Sequence, residues 1–188
     1  MRFQATDFPG LYVLTPKVFS DARGFFVETY SRKVFAEQGL DIGFVQDNHA
    51  RSEAKGVLRG LHFQVPPAAQ AKLVRVSRGA VFDVVVDLRA GSPTFGRRHA
   101  EVLSAENFRQ LLIPKGFAHA YLTLEAGTEF QYKVDAFYDS GLETGLFWND
   151  PDLKIEWPEK NPVLSDKDKA LPLWRDFTSP FVFTNGPG

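Results

Sequence analysis

The 188-residue chain has 44% hydrophobic and 24% charged residues, a balance that fits one globular domain, or two small ones, and excludes disorder throughout. Its 22 Lys and Arg stand against 23 Asp and Glu, so a net charge of -1 excludes a general basic footprint for nucleic acid. The absence of cysteine excludes disulfides, zinc–thiolate sites and thiol nucleophiles.

The elements follow in chain order. The start, MRFQATDFPG, lacks an apolar signal core, and no apolar run approaches membrane-spanning length. A soluble, cytoplasmic protein with no membrane partner is expected. A helix is predicted over 31–38, with Ser31 as N-cap and Gly39 as the stop. Beyond it, short apolar stretches are closed by turn residues. A strand fits 57–64. The run LVRVSRGAVFDVVVDLRAGSPTFG reads as two strands joined near Arg78 and Gly79 and ended at Gly91, Ser92 and Pro93. Further strands fit 109–113, 118–124 and 129–134. The tail after Trp157 is rich in Pro and charge and reads as irregular chain wrapped on the strands. No repeat, linker or low-complexity tract divides the sequence, so one domain over 1–188 is expected. Aromatic residues make up 14%, with 18 Phe, and they accompany 15 Gly and 12 Pro. Many short antiparallel strands with few helices suggest a sandwich, jelly roll or barrel.

Period-2 alternation places polar residues on apolar faces. Lys72 shares a face with Val74 and Val76, Tyr132 with Phe130 and Val134, and His119 with Phe117 and Tyr121. If these faces point inward, an ammonium, a phenol and an imidazole converge on one aromatic-lined cavity. An unpaired buried ammonium is costly, so that cavity should be wet or hold an anion.

The chemistry is narrowed by what is missing. There is no Gly-x-Ser-x-Gly elbow, no GxGxxG and no Walker A sequence. Phosphate binding must then come from side chains, for which Arg23, Arg59 and Lys72 are candidates. The stretch Gly60-Leu61-His62-Phe63-Gln64 places Gln where a metal-binding cupin has its second His. Gln is a poor transition-metal ligand, so no metal is expected. His49 and His99 have no supporting pattern and read as surface or structural residues. His62 as base, Tyr132 as acid and Lys72 as electrostatic stabiliser suit proton abstraction beside a carbonyl. A carboxylate behind His62 would orient the ring, and Asp168 and Asp83 are both candidates.

These residues lie in blocks that together resemble the dTDP-4-dehydrorhamnose 3,5-epimerase family. The blocks are PKVF at 16–19, DARGFF at 21–26, FVQDNH at 44–49 and LRGLHFQ at 58–64. KLVR at 72–75, VFDVVVD at 81–87, SPTFG at 92–96 and IPKGFAH at 113–119 come next. YK at 132–133, WNDP at 148–151, IEWP at 155–158 and SDKD at 165–168 complete the order. The resemblance implies an all-β, cupin-type antiparallel jelly roll with a few short helices. It implies metal-free, cofactor-free epimerisation at C5 and C3 of a dTDP-linked 4-keto-6-deoxyhexose, on the way to dTDP-L-rhamnose. His62 matches the base, Tyr132 the acid, Lys72 the enolate stabiliser and Asp168 the partner of the base, with Asp83 as supporting structure. Arg23, Gln46, Asn48, Arg59 and His119 match residues that hold the diphosphate and sugar. Glu28, Glu143 and Lys167 fall on further binding positions, and Tyr138 on an aromatic that stacks on thymine. A homodimer with strands exchanged at its interface is implied as well.

The alternatives are an enzyme acting at one of the two carbons, a non-catalytic sugar-nucleotide-binding cupin, and a metal-dependent cupin, which Gln64 disfavours.

Overall fold

In a computed structural model, residues 1–184 are described; the last four residues of the expected 1–188 span lie outside them. Thirteen strands and two short helices follow one another along these residues. The strands are β1 (Arg2–Ala5), β2 (Tyr12–Thr15), β3 (Val18–Asp21), β4 (Gly24–Val27), β5 (Gln46–Ser52), β6 (Leu58–Gln64) and β7 (Lys72–Arg78). They continue with β8 (Ala80–Asp87), β9 (Arg98–Ser104), β10 (Gln110–Ile113), β11 (Phe117–Thr123), β12 (Thr128–Val134) and β13 (Glu143–Gly145). The helices are α1 (Arg32–Ala36) and α2 (Asp166–Lys169), with a 3₁₀ turn at Trp174–Asp176. No helix among the described residues is long and apolar enough to cross a membrane.

Two antiparallel sheets face each other in a cupin-type jelly roll. One has the order β1-β2-β10-β7-β12-β5 and the other β13-β6-β11-β8-β9. The hairpin β3-β4 pairs with neither sheet. Between the sheets lies a core of Val74, Val76, Val81, Val85, Leu103, Leu111, Phe117, Tyr121 and Phe130. Among them, Val74 and Val76 share a face with Lys72, Phe117 and Tyr121 with His119, and Phe130 with Tyr132, so the predicted inward faces do point inward. A second core, with Leu61, Phe63, Ala118, Ala120 and Phe181, lies on the outer side of the five-stranded sheet. The tail covers it as expected: the Phe177 and Phe181 rings stand 5.6 and 5.9 Å from Phe63, edge to face. A third packs Phe35 of α1 onto Leu14, Leu73 and Leu112 of the six-stranded sheet.

The predicted helix 31–38 is shorter than expected. Ser31 holds the N-cap position, but its side chain makes no capping hydrogen bond. Gly39 stops the chain with φ +76°, its N–H bonded to the Ala36 carbonyl.

One irregularity decides which side chains reach the interior. His119 of β11 is opposite His62 and Tyr121 is opposite Arg59, so Ala120 faces both Gly60 and Leu61. This β-bulge inserts one residue and reverses the alternation of β6. Arg59 and His62, three apart, therefore both face inward, while Leu61 turns out to the second core. Glycine is required at the bulge. Gly60 has φ +124°, and a Cβ there would lie 2.5 Å from the Ala120 Cβ and 2.6 Å from the His119 carbonyl oxygen.

Candidate active site

A cavity of about 440 Å³ opens between the two sheets. The five-stranded sheet contributes Arg59 and His62 from β6 and His119 and Tyr121 from β11. The six-stranded sheet contributes Lys72 from β7 and Phe130 and Tyr132 from β12. Ser165, Lys167 and Asp168, from α2 and its cap, close one side.

The carboxylate beside His62 is Asp168. Its Oδ1 lies 2.5 Å from His62 Nε2, and its side chain is buried. Burial alone would raise the pKa of Asp168. The His62 hydrogen bond and charge, with Ser165 and Lys167, outweigh it and hold the carboxyl below its ordinary range. Asp83 is committed elsewhere: its two oxygens lie 3.0 and 2.9 Å from His119 Nε2, and it is fully buried. The cavity thus holds two imidazoles, each with its own carboxylate.

Lys72 Nζ lies 6.0 Å from the Tyr132 ring centroid. Burial pushes this ammonium down to about 8, against the opposing charges of Glu143 and Asp83. Burial and then the Glu143 charge push the Tyr132 phenol up, with Arg59 opposing. Tyr121, the strand-mate of His119, is a second phenol in the cavity, one that no sequence motif singles out. It stacks on Phe130 at 4.0 Å and 17°, and burial pushes it to about 12.

The remaining expected binding residues divide into two groups. At the rim, the Tyr138 hydroxyl donates to Glu143 Oε2 at 2.8 Å, and Lys167 Nζ bonds to the same oxygen. Gln46 Oε1 accepts from the Tyr138 backbone N–H at 3.1 Å, and its amide donates to Asn48 Oδ1 at 2.9 Å. Asn48 in turn lies opposite Tyr132 across β5 and β12. Of this network only Lys167 lines the cavity itself; Arg23 and Glu28 neither line it nor join the network. Arg23 sits exposed at the β3-β4 turn, paired with Asp21 at 2.6 Å, and Glu28 is exposed just past β4.

Gln64, at the position weighed for a metal ligand, has its amide occupied by backbone. It donates to the Ala68 and Phe137 carbonyls at 2.7 and 3.2 Å and accepts from the Asp139 N–H at 2.7 Å. His49 is half exposed and 3.4 Å from Glu129. His99 Nε2 is buried and makes no hydrogen bond among the described residues.

A family model described as dTDP-4-dehydrorhamnose 3,5-epimerase matches residues 5–176. The chain belongs to the dTDP-4-dehydrorhamnose 3,5-epimerase family. It is 54% identical over 169 residues to the dTDP-4-dehydrorhamnose 3,5-epimerase of Shigella flexneri, covering 89% of this chain and 93% of that one. The Bacillus anthracis epimerase, crystallised with TDP and PPi bound, is 49% identical, with a TM-score of 0.90 over 92% of this chain and 98% of that one. The Legionella pneumophila epimerase, in complex with dTDP-4-keto-L-rhamnose, is 43% identical, with a TM-score of 0.92 over 97% and 99%. Like these epimerases, the chain is an isomerase with a jelly-roll fold.

Proposed function

We propose that the cavity inverts C5 and C3 of dTDP-4-keto-6-deoxyglucose by removing and returning a proton at each carbon. His62 takes the proton, and the electron pair of the C–H bond moves to the 4-keto oxygen. The Lys72 ammonium stabilises the enolate that forms. The Tyr132 phenol returns a proton to the other face of the same carbon, and exchange with water restores both groups. Asp168 holds the imidazole in the tautomer that accepts and stabilises its charged form. Arg59 and His119 hold the diphosphate and sugar, and the Tyr138 ring, 54% exposed, takes the thymine face. One observation carries this reading: the imidazole and the phenol reach the cavity from facing sheets, with the ammonium beside the phenol.

Incubation with dTDP-4-keto-6-deoxyglucose in D₂O without added metal is expected to place deuterium at both C5 and C3. Label at a single carbon would make the protein a mono-epimerase. Tight dTDP binding with no label would make it a binding module.

We propose further that the single domain works in the cytoplasm as a homodimer. The β3-β4 hairpin exposes Phe19, Phe25 and Phe26, at 52, 62 and 68%, a patch that suits burial against a second copy. Arg23 and Glu28, on and beside that hairpin, would then meet the substrate from the partner's side. Light scattering is expected to give twice the mass of one chain, and the mass of one chain would remove the dimer.

A further inference from the structure

We infer that Lys167 and Glu143 are positioning residues for the His62–Asp168 pair, a role separate from contact with substrate. The inference rests on the proposal that His62 is the base. Asp168 sits on α2, which has only four residues, too few to hold a helix by itself. Its internal fixings are slight. Ser165 Oγ accepts the Asp168 N–H at 3.1 Å, and the pair Lys169–Asp166 is exposed and worth little. Among the described residues, two side-chain polar contacts tie α2 to the barrel: Asp168 to His62, and Lys167 to Glu143. They fall on adjacent residues of α2.

Both anchors stand on one strand pair. Across β13 and β6, Gly145 lies opposite His62 and Glu143 opposite Gln64. The chain just beyond α2 packs down on the same strand, since a Cβ on Gly145 would overlap the Leu61 carbonyl oxygen and the Leu171 side chain. Glu143 is itself held by the Tyr138 hydroxyl. Burial would raise its pKa, but the hydrogen bonds from Lys167 and Tyr138 keep the carboxyl below its ordinary range, and therefore charged. Release of Lys167 would leave Asp168 as the one side-chain polar tie of α2 among the described residues, with only backbone bonds at Val163 and Pro172 flanking it, and the carboxylate would lose its fixed angle to the imidazole. Misplacements of about 1 Å in such groups can cost on the order of 100-fold in rate.

The test uses the unliganded protein and proton NMR at low temperature. Two far-downfield imidazole protons are expected, one from His62–Asp168 and one from His119–Asp83, assigned with Asp168→Asn and Asp83→Asn. In Lys167→Met, the His62 resonance is expected to vanish while the His119 resonance stays. The kcat for deuterium wash-in should fall about tenfold or more, with KM changed less than about twofold. Lys167→Arg should restore both readouts. An unchanged His62 resonance with only KM raised would reduce Lys167 to a ligand contact and overturn the inference. Loss of both resonances would show a loosened barrel and overturn it equally. A wild-type protein with both resonances but no wash-in would sink the proposed chemistry and leave the positioning intact.

Discussion

His62→Asn is expected to lower kcat for deuterium wash-in by about 10²–10⁴-fold, the range that a positioned general base supplies. The substitution removes the ring nitrogen that takes the proton. The shorter amide stops short of the Nε2 position that faces Asp168, so a circular-dichroism melt should show a folded protein of somewhat lower stability. The side chains proposed to hold the nucleotide are separate from His62: Arg59 lies on the other side of the bulge, and Tyr138 lies at the rim. The dTDP affinity, measured by calorimetry, should therefore stay within about threefold of the wild type, while turnover collapses. Turnover retained with affinity lost would remove His62 from the role of base.

Lys72→Met should cost about 10²–10³-fold in kcat, the loss typical when one preorganised group facing a developing oxyanion is removed. Its pH dependence gives a second signature. The protonated ammonium is the form that stabilises the enolate, and burial has pushed Lys72 to about 8. The wild-type rate should fall as pH rises through about 8. The Tyr132 phenol is pushed above its ordinary value and stays protonated there, so it does not supply that limb. Lys72→Arg keeps the charge and should abolish the alkaline limb. A limb near 8 that survives in Lys72→Arg would assign it to another group. The same shift bears on stability. Folded Lys72 releases its proton near 8 and the unfolded residue near 10.5, so between these values the unfolded chain binds more protons. The cost of enclosing the ammonium is present in full below 8 and is relieved as pH rises toward 10.5.

Much of the site was readable from strand periodicity, because β7, β11 and β12 alternate regularly where Lys72, His119 and Tyr132 stand. The strand predicted at 57–64 begins one residue later at Leu58, and the turn near Gly79 separates β7 from β8 as expected. Other features escaped for physical reasons. The polar stretch of β5, QDNHARS, has no apolar alternation because it lies at a sheet edge, and no strand was predicted there. Counting by twos puts Arg59 and His62 on opposite faces; only the bulge brings them together. Asp168 and Asp83 are not separable from spacing, because Asp168 lies 106 residues from His62, on a four-residue helix in a tail that the sequence pattern reads as irregular. Arg23 and Glu28 were expected at the site from resemblance, and within one chain they lie outside it.

The inserted residue in β6 also works as a ruler. It divides the strand into two halves of opposite phase, one presenting the guanidinium proposed to grip the diphosphate and the other the imidazole proposed to move the proton. Because the bulge sets them opposite Tyr121 and His119, their separation spans two residues of the facing strand, roughly 7 Å, and is set by main chain and not by side-chain reach. A sugar whose acidic carbons sat a bond nearer to its phosphates, or a bond further away, would seat both ends and still present the wrong atom to His62.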